Sequence, residues 1–141
     1  MATFSTYLDG SSTTNGNGSN AAGFPAVTVF EGVYDASKRA LAAADVVQLI
    51  NLPARSHVVK VFYHVITGDA TQTLNIGDGT DPDGYVAAAD VATAGNSGVG
   101  AGAYAAGKFY AAADTIDLEV PATKALDTLK VRVVALVAAI G

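Results

Sequence analysis

The stretch SHVVKVFYHVI, residues 56–66, constrains this chain more than any other. Its β-branched and aromatic side chains crowd a helix and pack well on a pleated sheet. Period two puts His57, Val59, Val61, Tyr63 and Val65 on one face. Val58, Lys60, Phe62, His64 and Ile66 take the other. The odd face is the more apolar and is expected to enter a core.

Similar segments surround it. Residues 26–34 (AVTVFEGVY) read as a strand opened by Pro25, and residues 46–52 as a second, closed by Pro53. Gly68-Asp69 turns the chain into residues 71–76, with Leu74 and Ile76 inward. Phe109 and Tyr110 open another strand. In residues 116–120, Ile116, Leu118 and Val120 point inward and Asp117 and Glu119 outward. The last strand opens at Leu126 or Leu129 and runs to about Ala138, with Leu129, Val131, Val133, Ala135 and Val137 on one face. Residues 37–44 are a helical turn or a loop, 77–84 an irregular loop, and 94–107 a Gly/Ala loop. Residues 85–92 (YVAAADVA) could form one short helix, because Ala favours helix. About seven strands with no crossover helix between them predict an all-β, antiparallel sandwich or small barrel.

The start of the chain differs. Residues 9–23 (DGSSTTNGNGSNAAG) hold no apolar side chain larger than Ala, and Gly, Ser and Asn oppose a regular ladder. Residues 1–23 are therefore expected to be a flexible arm, tipped by Phe4, Tyr7 and Leu8. Residues 24–141 are expected to be a single domain, which suits the chain length.

Charge narrows the function. Only 15% of residues are Asp, Glu, Lys or Arg, against about 25% in an ordinary soluble domain. A surface of Ala, Gly, Ser and Thr costs little to desolvate and suits protein contacts. The net charge is −5, and of the eight basic residues only Lys38 and Arg39 are adjacent. Nucleic acid and anionic membranes both need clustered cations, so neither is an expected partner. With no Cys, disulfides and thiolate chemistry are excluded. The first residues, MATFSTYLDGSS, lack the basic head and apolar run of a signal peptide. The closing apolar run is too short to span a bilayer as a helix.

No catalytic pattern stands out. The only imidazoles, His57 and His64, fall on opposite faces of one predicted strand and could share a site only if a bulge intervened. Glu31, Asp117, Glu119 and the other acids single out no opposed pair of the kind glycoside hydrolysis needs. Asp78, Asp81 and Asp83 in GDGTDPDG could offer oxygens to Ca²⁺, but the spacing is not that of an EF-hand, and Asp, Gly and Pro are ordinary turn residues. No catalytic, cofactor or metal residue is therefore assigned, and no enzyme or cofactor is expected. Tyr85 and Tyr104 could stack sugars if exposed beside a groove; otherwise they pack over the rim of the core.

The runs DVVQLINLPARSHVVKVFYHV, TLNIGDGTDPDGYVAAADV, DTIDLEV and LKVRVVALV, taken in order, resemble small virion structural proteins of tailed bacteriophages over residues 26–138. The resemblance implies a jelly-roll-like β-sandwich on a capsid surface or at the head–tail region. It also implies homo-oligomers, with a trimer favoured over a dimer, that contact the major capsid protein or other virion proteins. A non-catalytic protein that decorates or stabilises the capsid is the leading expectation, with head–tail joining, a tail role and a carbohydrate-binding or adhesin-type module as the alternatives.

Overall fold

The computed structural model of the chain describes residues 27–70, 72–121 and 125–139. The expected arm, Pro25 and Thr71 lie outside them. The described residues form nine strands and no helix: β1 (Val27–Asp35), β2 (Val46–Leu52), β3 (Ser56–Thr67), β4 (Thr73–Gly77), β5 (Val86–Asp90), β6 (Ser97–Val99), β7 (Lys108–Tyr110), β8 (Asp114–Glu119) and β9 (Lys130–Ala139). All pairing is antiparallel, as the absence of a crossover helix predicts.

The strands make two open sheets. One runs β1-β9-β3-β6, with β7 also on β3; the other runs β2-β8-β4-β5. The pairing is nested. β1 pairs with β9, β2 with β8, β3 with β6 and β7, and β4 with β5, as in one long hairpin folded at residues 78–85. Two further pairings, β3 with β9 and β4 with β8, roll that hairpin into the sheets.

Both sheets feed one apolar core. Val58, Val61, Val65, Val131, Val133, Ala135 and Val137 enter from the first sheet; Ile50, Leu52, Leu74, Ile76, Ile116 and Leu118 enter from the second. Burying each of the larger side chains contributes about 1.5–3 kcal/mol. At the side where β1 and β2 are both edges, Gly32 faces Leu49. A Cβ there would stand 2.6 Å from Leu49 Cγ, so the absent side chain lets Leu49 close the core.

The seven predicted strands are present, with three differences. First, β3 changes phase. Its register against β9 shifts between Val58 and Lys60, so Val58 is buried while Val59 is 39% exposed. The inward set is Val58, Val61 and Val65, with Tyr63 half-buried, rather than every odd residue. Such a bulge lets one extra residue leave the ladder without losing the core face. Second, the region expected to be a helix is β5. Ala89 pairs with Leu74, and Ala88, at φ 50°, donates its N–H to Asn75 Oδ1 at 2.9 Å. Ladder pairing outweighs alanine's helix propensity here. Third, the Gly/Ala loop contains β6. Residues 37–44 are turns, with a lone bridge from Leu41 to Leu126.

Candidate functional site

Two features of the fold bear on function: a buried polar cluster that fastens loops across the molecule, and the outer face of the five-stranded sheet.

The cluster starts at Gly77, where β4 ends. A side chain there would fall on the carbonyl oxygen of Asp81 and on Pro82. Glycine therefore lets the following loop fold tightly over the end of β4. Asp78, next in line, turns its side chain into the molecule, where it has no exposed area. Its Oδ1 accepts the backbone N–H groups of Thr80 and Asp81, both at 2.9 Å, which is an Asx-type turn. Its Oδ2 accepts from Lys108 Nζ at 2.5 Å and from the Tyr110 hydroxyl at 2.8 Å. Lys108 Nζ also donates to the Tyr104 hydroxyl at 2.8 Å and lies 4.0 Å from that ring's centroid. Tyr85 and Tyr110 join hydroxyls at 2.9 Å, and the Tyr85 and Tyr104 rings meet edge to face at 5.2 Å.

The electrostatics follow from these contacts. Burial pushes the Asp78 carboxyl up, but Lys108, the two N–H groups and Tyr110 outweigh it and hold the group below the usual carboxylate range. Burial lowers Lys108, and Asp78 and Tyr104 more than reverse that. Burial raises both Tyr85 and Tyr110, so both stay neutral donors. All of Asp78's acceptor positions are used by donors of the protein itself. The cluster is a fastener between the β4–β5 loop and β7, two elements of different sheets.

The other candidate residues scatter. Asp81 and Asp83 face solvent rather than Asp78's oxygens, and the Asp83 carboxyl pushes Asp81 up through a hydrogen bond and charge. Among the described residues no three His, Asp or Glu side chains gather as metal ligands would. The bulge puts His57 and His64 on the same outer face, which the plain alternation does not predict. They stand seven positions apart along a strand, about 20 Å, so they form no pair. Glu31 pairs with Arg132 at 2.6 Å on the surface. Tyr85 is 1% exposed, so it cannot stack a sugar; it packs under the rim, with Tyr104 beside it half-buried.

Asp117 departs from its expected solvated position. It does point to the outer side of β8, opposite Gln48 and Gly77, yet it is 4% exposed. The loop after β4 comes down on Gly77, its cross-strand neighbour. Its Oδ1 accepts from Thr115 Oγ1 at 2.6 Å, and burial, with Asp114 and Asp78 nearby, pushes the carboxyl up. Glu119, half-buried, accepts from Asn75 Nδ2 at 3.0 Å. A cleft of about 530 Å³ opens between β1 and β2, lined in part by Tyr34, Lys38, Arg39 and Asp45. It holds no convergent catalytic set: the Tyr34 hydroxyl donates to Arg39 O, and Asp45 accepts from Ala42 N.

The outer face of the five-stranded sheet reads as cross-strand rows. The first holds Val27, Ala138, His57 and Phe109; the second Val29, Leu136 and Lys60; the third Glu31, Val134, Phe62 and Val99. The fourth holds Val33, Arg132, His64 and Ser97, and the fifth Asp35, Lys130 and Thr67. Three rows at one end are thus mainly apolar and two at the other mainly polar. Lys60 Nζ donates to Ala105 O at 2.8 Å, which ties its charge to the neighbouring loop. Solvated sheet faces normally alternate to polar residues, so this one is more apolar than such a face usually is.

Chains in three phage capsid structures share this arrangement. A chain of the capsid of Ralstonia phage GP4 superposes with a TM-score of 0.66 at 18% identity, over 82% of this chain and 86% of that one. A chain of the cyanophage Pam1 capsid asymmetric unit gives 0.61 at 22% identity, over 88% and 93%. A chain of the acid-stable capsid of Helicobacter pylori bacteriophage KHP30 gives 0.58 at 16%, over 79% and 86%. The fold is one used in phage capsids. No family model and no curated protein sequence matches the chain.

Two contributors to the cluster, Lys108 and Tyr110, escape sequence reasoning. One signal was present: Lys108 is the only charged residue between Asp90 and Asp114. A lone cation in a Gly/Ala stretch is a candidate partner for a buried acid.

Proposed function

We propose that this chain is a non-catalytic structural protein of a phage-type virion, a jelly-roll sandwich that binds a capsid surface and stabilises it. The observation that carries this reading is the fold likeness to capsid chains of nearly equal length, since most of each chain is covered in every comparison. The nested pairing supports the jelly roll, because rolling a long hairpin so that its strands interleave would give the orders β1-β9-β3-β6 and β2-β8-β4-β5. The low charge and the apolar rows support a role in protein contacts. Homo-oligomers, with three copies favoured, would multiply weak identical contacts on a symmetric shell through effective concentration. Residues 1–23 act as an arm attached to the single domain 24–141. Decoration is favoured over head–tail joining because identical small contacts gain most where a shell repeats them many times.

The test is co-sedimentation of the purified protein with shells assembled without it, followed by heating. Saturable binding at a whole-number ratio to the shell protein, with a raised shell melting temperature, is the expected result. Absence of binding at micromolar concentrations would overturn the reading.

A further inference from the structure

Both sheets are open, and an unguarded sheet edge is a template for another strand. Most edges here are short or broken. β6 and β7 have 3 residues each, and β5 has 5, with a register shift against β4 and a positive φ at Ala88. β2 carries a bulge between Gln48 and Ile50. β1 differs. It runs Val27–Asp35, 9 residues, in unbroken register with β9, and holds no Pro, Lys or Arg. Its central charge, Glu31, is drawn back over the sheet by Arg132 of β9 at 2.6 Å, so it does not guard the rim. Among the described residues, no strand but β9 pairs with β1.

One bond sets the backbone phase of that edge. Ala36 N–H donates to Leu129 O at 2.7 Å, in register with the pairing of Asp35 and Lys130. Antiparallel pairs alternate between hydrogen-bonded and non-hydrogen-bonded. Thr28, Phe30, Gly32 and Tyr34 therefore turn their N–H and C=O groups to β9, while Val27, Val29, Glu31 and Val33 turn theirs to the open edge. Such an edge complements itself. With a second β1 laid antiparallel beside it and Phe30 on the two-fold axis, Val27 meets Val33 of the second copy, and Val29 meets its Glu31. Each of these pairs exchanges both N–H···O bonds. Phe30 meets its own image at a non-hydrogen-bonded site, where side chains approach most closely and aromatic pairs stabilise a sheet. Centring the pair on Glu31 would set two carboxylates directly opposite, which is destabilising. Centring it on Val29 would set Val33 beyond the end of the facing strand.

We propose that two copies of this chain join edge to edge through β1, antiparallel and centred on Phe30, so that their five-stranded sheets become one continuous sheet. The exposed side chains of Val27, Val29 and Val33 then meet across the seam on one face. The seam over residues 27–33 is about 20 Å long and one sheet, about 10 Å, thick. Each copy therefore buries well under the roughly 800 Å² per partner of a standard stable interface, and the pair forms in solution only at high concentration. Being isologous, the contact closes at two copies and differs from any three-fold contact. The inference stands apart from the capsid reading, because it is tested on the free protein.

Sedimentation of the full chain from micromolar concentration to about 1 mM reads the pairing. A reversible equilibrium between one and two copies is expected, and a chain that stays monomeric throughout would overturn the proposal. Val29→Pro removes one N–H from the open edge and none that bonds β9. It should keep the natural circular dichroism spectrum and weaken pairing about tenfold or more. A folded Val29→Pro variant that pairs as the natural chain does would overturn the proposal equally. Thiol cross-linking reads the register, since the chain has no Cys. Residues opposite one another at a non-hydrogen-bonded site stand about 4.5 Å apart at Cα, within disulfide reach. Phe30→Cys should oxidise to a covalent dimer several-fold faster than Val99→Cys, although Val99 is exposed and Phe30 half-buried. Equal rates, or faster coupling at Val99, would assign self-association to another part of the surface and sink the β1 seam.

Discussion

The two sheets obey the same pairing rules and present opposite outer faces. On the four-stranded sheet the outward residues include Gln48, Asn51, Asn75, Thr115, Asp117 and Glu119. Several bond one another: Asn75 donates to Glu119, and Thr115 to Asp117. A loop roofs part of that face at Gly77. On the five-stranded sheet the same outward positions carry Val27, Val29 and Val99, which are exposed, and Phe62, Val134 and Leu136, which are half-buried. One face satisfies itself within the domain. The other leaves apolar area exposed. Local β-propensity does not separate them, since β-branched residues suit either; the pattern of polar groups does.

The comparison breaks most severely if the roof over the polar face is released. Asp78→Ala removes the acceptor of four donors and leaves Lys108 beside buried hydroxyls. Breaking a buried pair from one side costs about 3–5 kcal/mol, and the lower end applies because Lys108 is partly exposed. Thermal unfolding followed by circular dichroism should show this as the largest loss in the series. Gly77→Ala acts on the same loop through the backbone at Asp81 and Pro82, with an expected cost of about 2–3 kcal/mol. Asp78 also sets the acid limit. Its folded pKa is depressed, so its contribution is complete above the unfolded value of about 3.9 and is lost as pH falls from there through the folded value. Asp69 acts in the same direction, because burial raises it less than the N–H groups of Thr128 and Asp127 lower it.

Much of this architecture is legible in the sequence. Alternation in 56–66, 116–120 and 130–138 marks the strands, and Pro53 and Pro121 mark their ends. Three things resist. The bulge at Val58–Lys60 depends on how β9 pairs with β3, so no local pattern signals which face His57 takes. β5 is hidden because alanine carries no β signal and becomes strand only by pairing with β4. The burial of Asp117 does not show in its alternation with Ile116 and Leu118, and its cross-strand neighbour Gly77 is where the loop after β4 folds down. The apolar outer face is half visible, as Val134 and Leu136 interrupt the polar side of β9, but the register is needed to join them to Val29 and Phe62.

Asp117 sharpens the comparison, because it is the point where the polar face is least satisfied. Its folded pKa is raised, so the ionised form costs stability, and the cost grows as pH rises through that folded value. Asp117→Asn keeps an acceptor for Thr115 and removes the charge from beside Asp114 and Asp78. The expected result is a gain of about 1 kcal/mol at pH 7, seen as a higher Tm. The gain should shrink as pH falls through the raised folded value toward the ordinary aspartate value of about 3.9. A gain that is equal at both pH values would mean that the substitution acts through packing rather than charge.

The smallest effect on stability falls on the apolar face and tests whether its composition serves folding at all. Val29 is 62% exposed, and Thr keeps its branched shape and strand propensity while adding a hydroxyl. Val29→Thr and Val99→Thr together should change stability by less than about 0.5 kcal/mol, as surface substitutions do. The same pair should reduce apolar dye binding and any association of the free protein at high concentration. A loss of stability as large as that of Gly77→Ala would mean that these side chains hold the sheet together and are not held out for a partner. If stability is unchanged and association falls, the difference between the two faces is one of what each contacts, since both fold equally well without it.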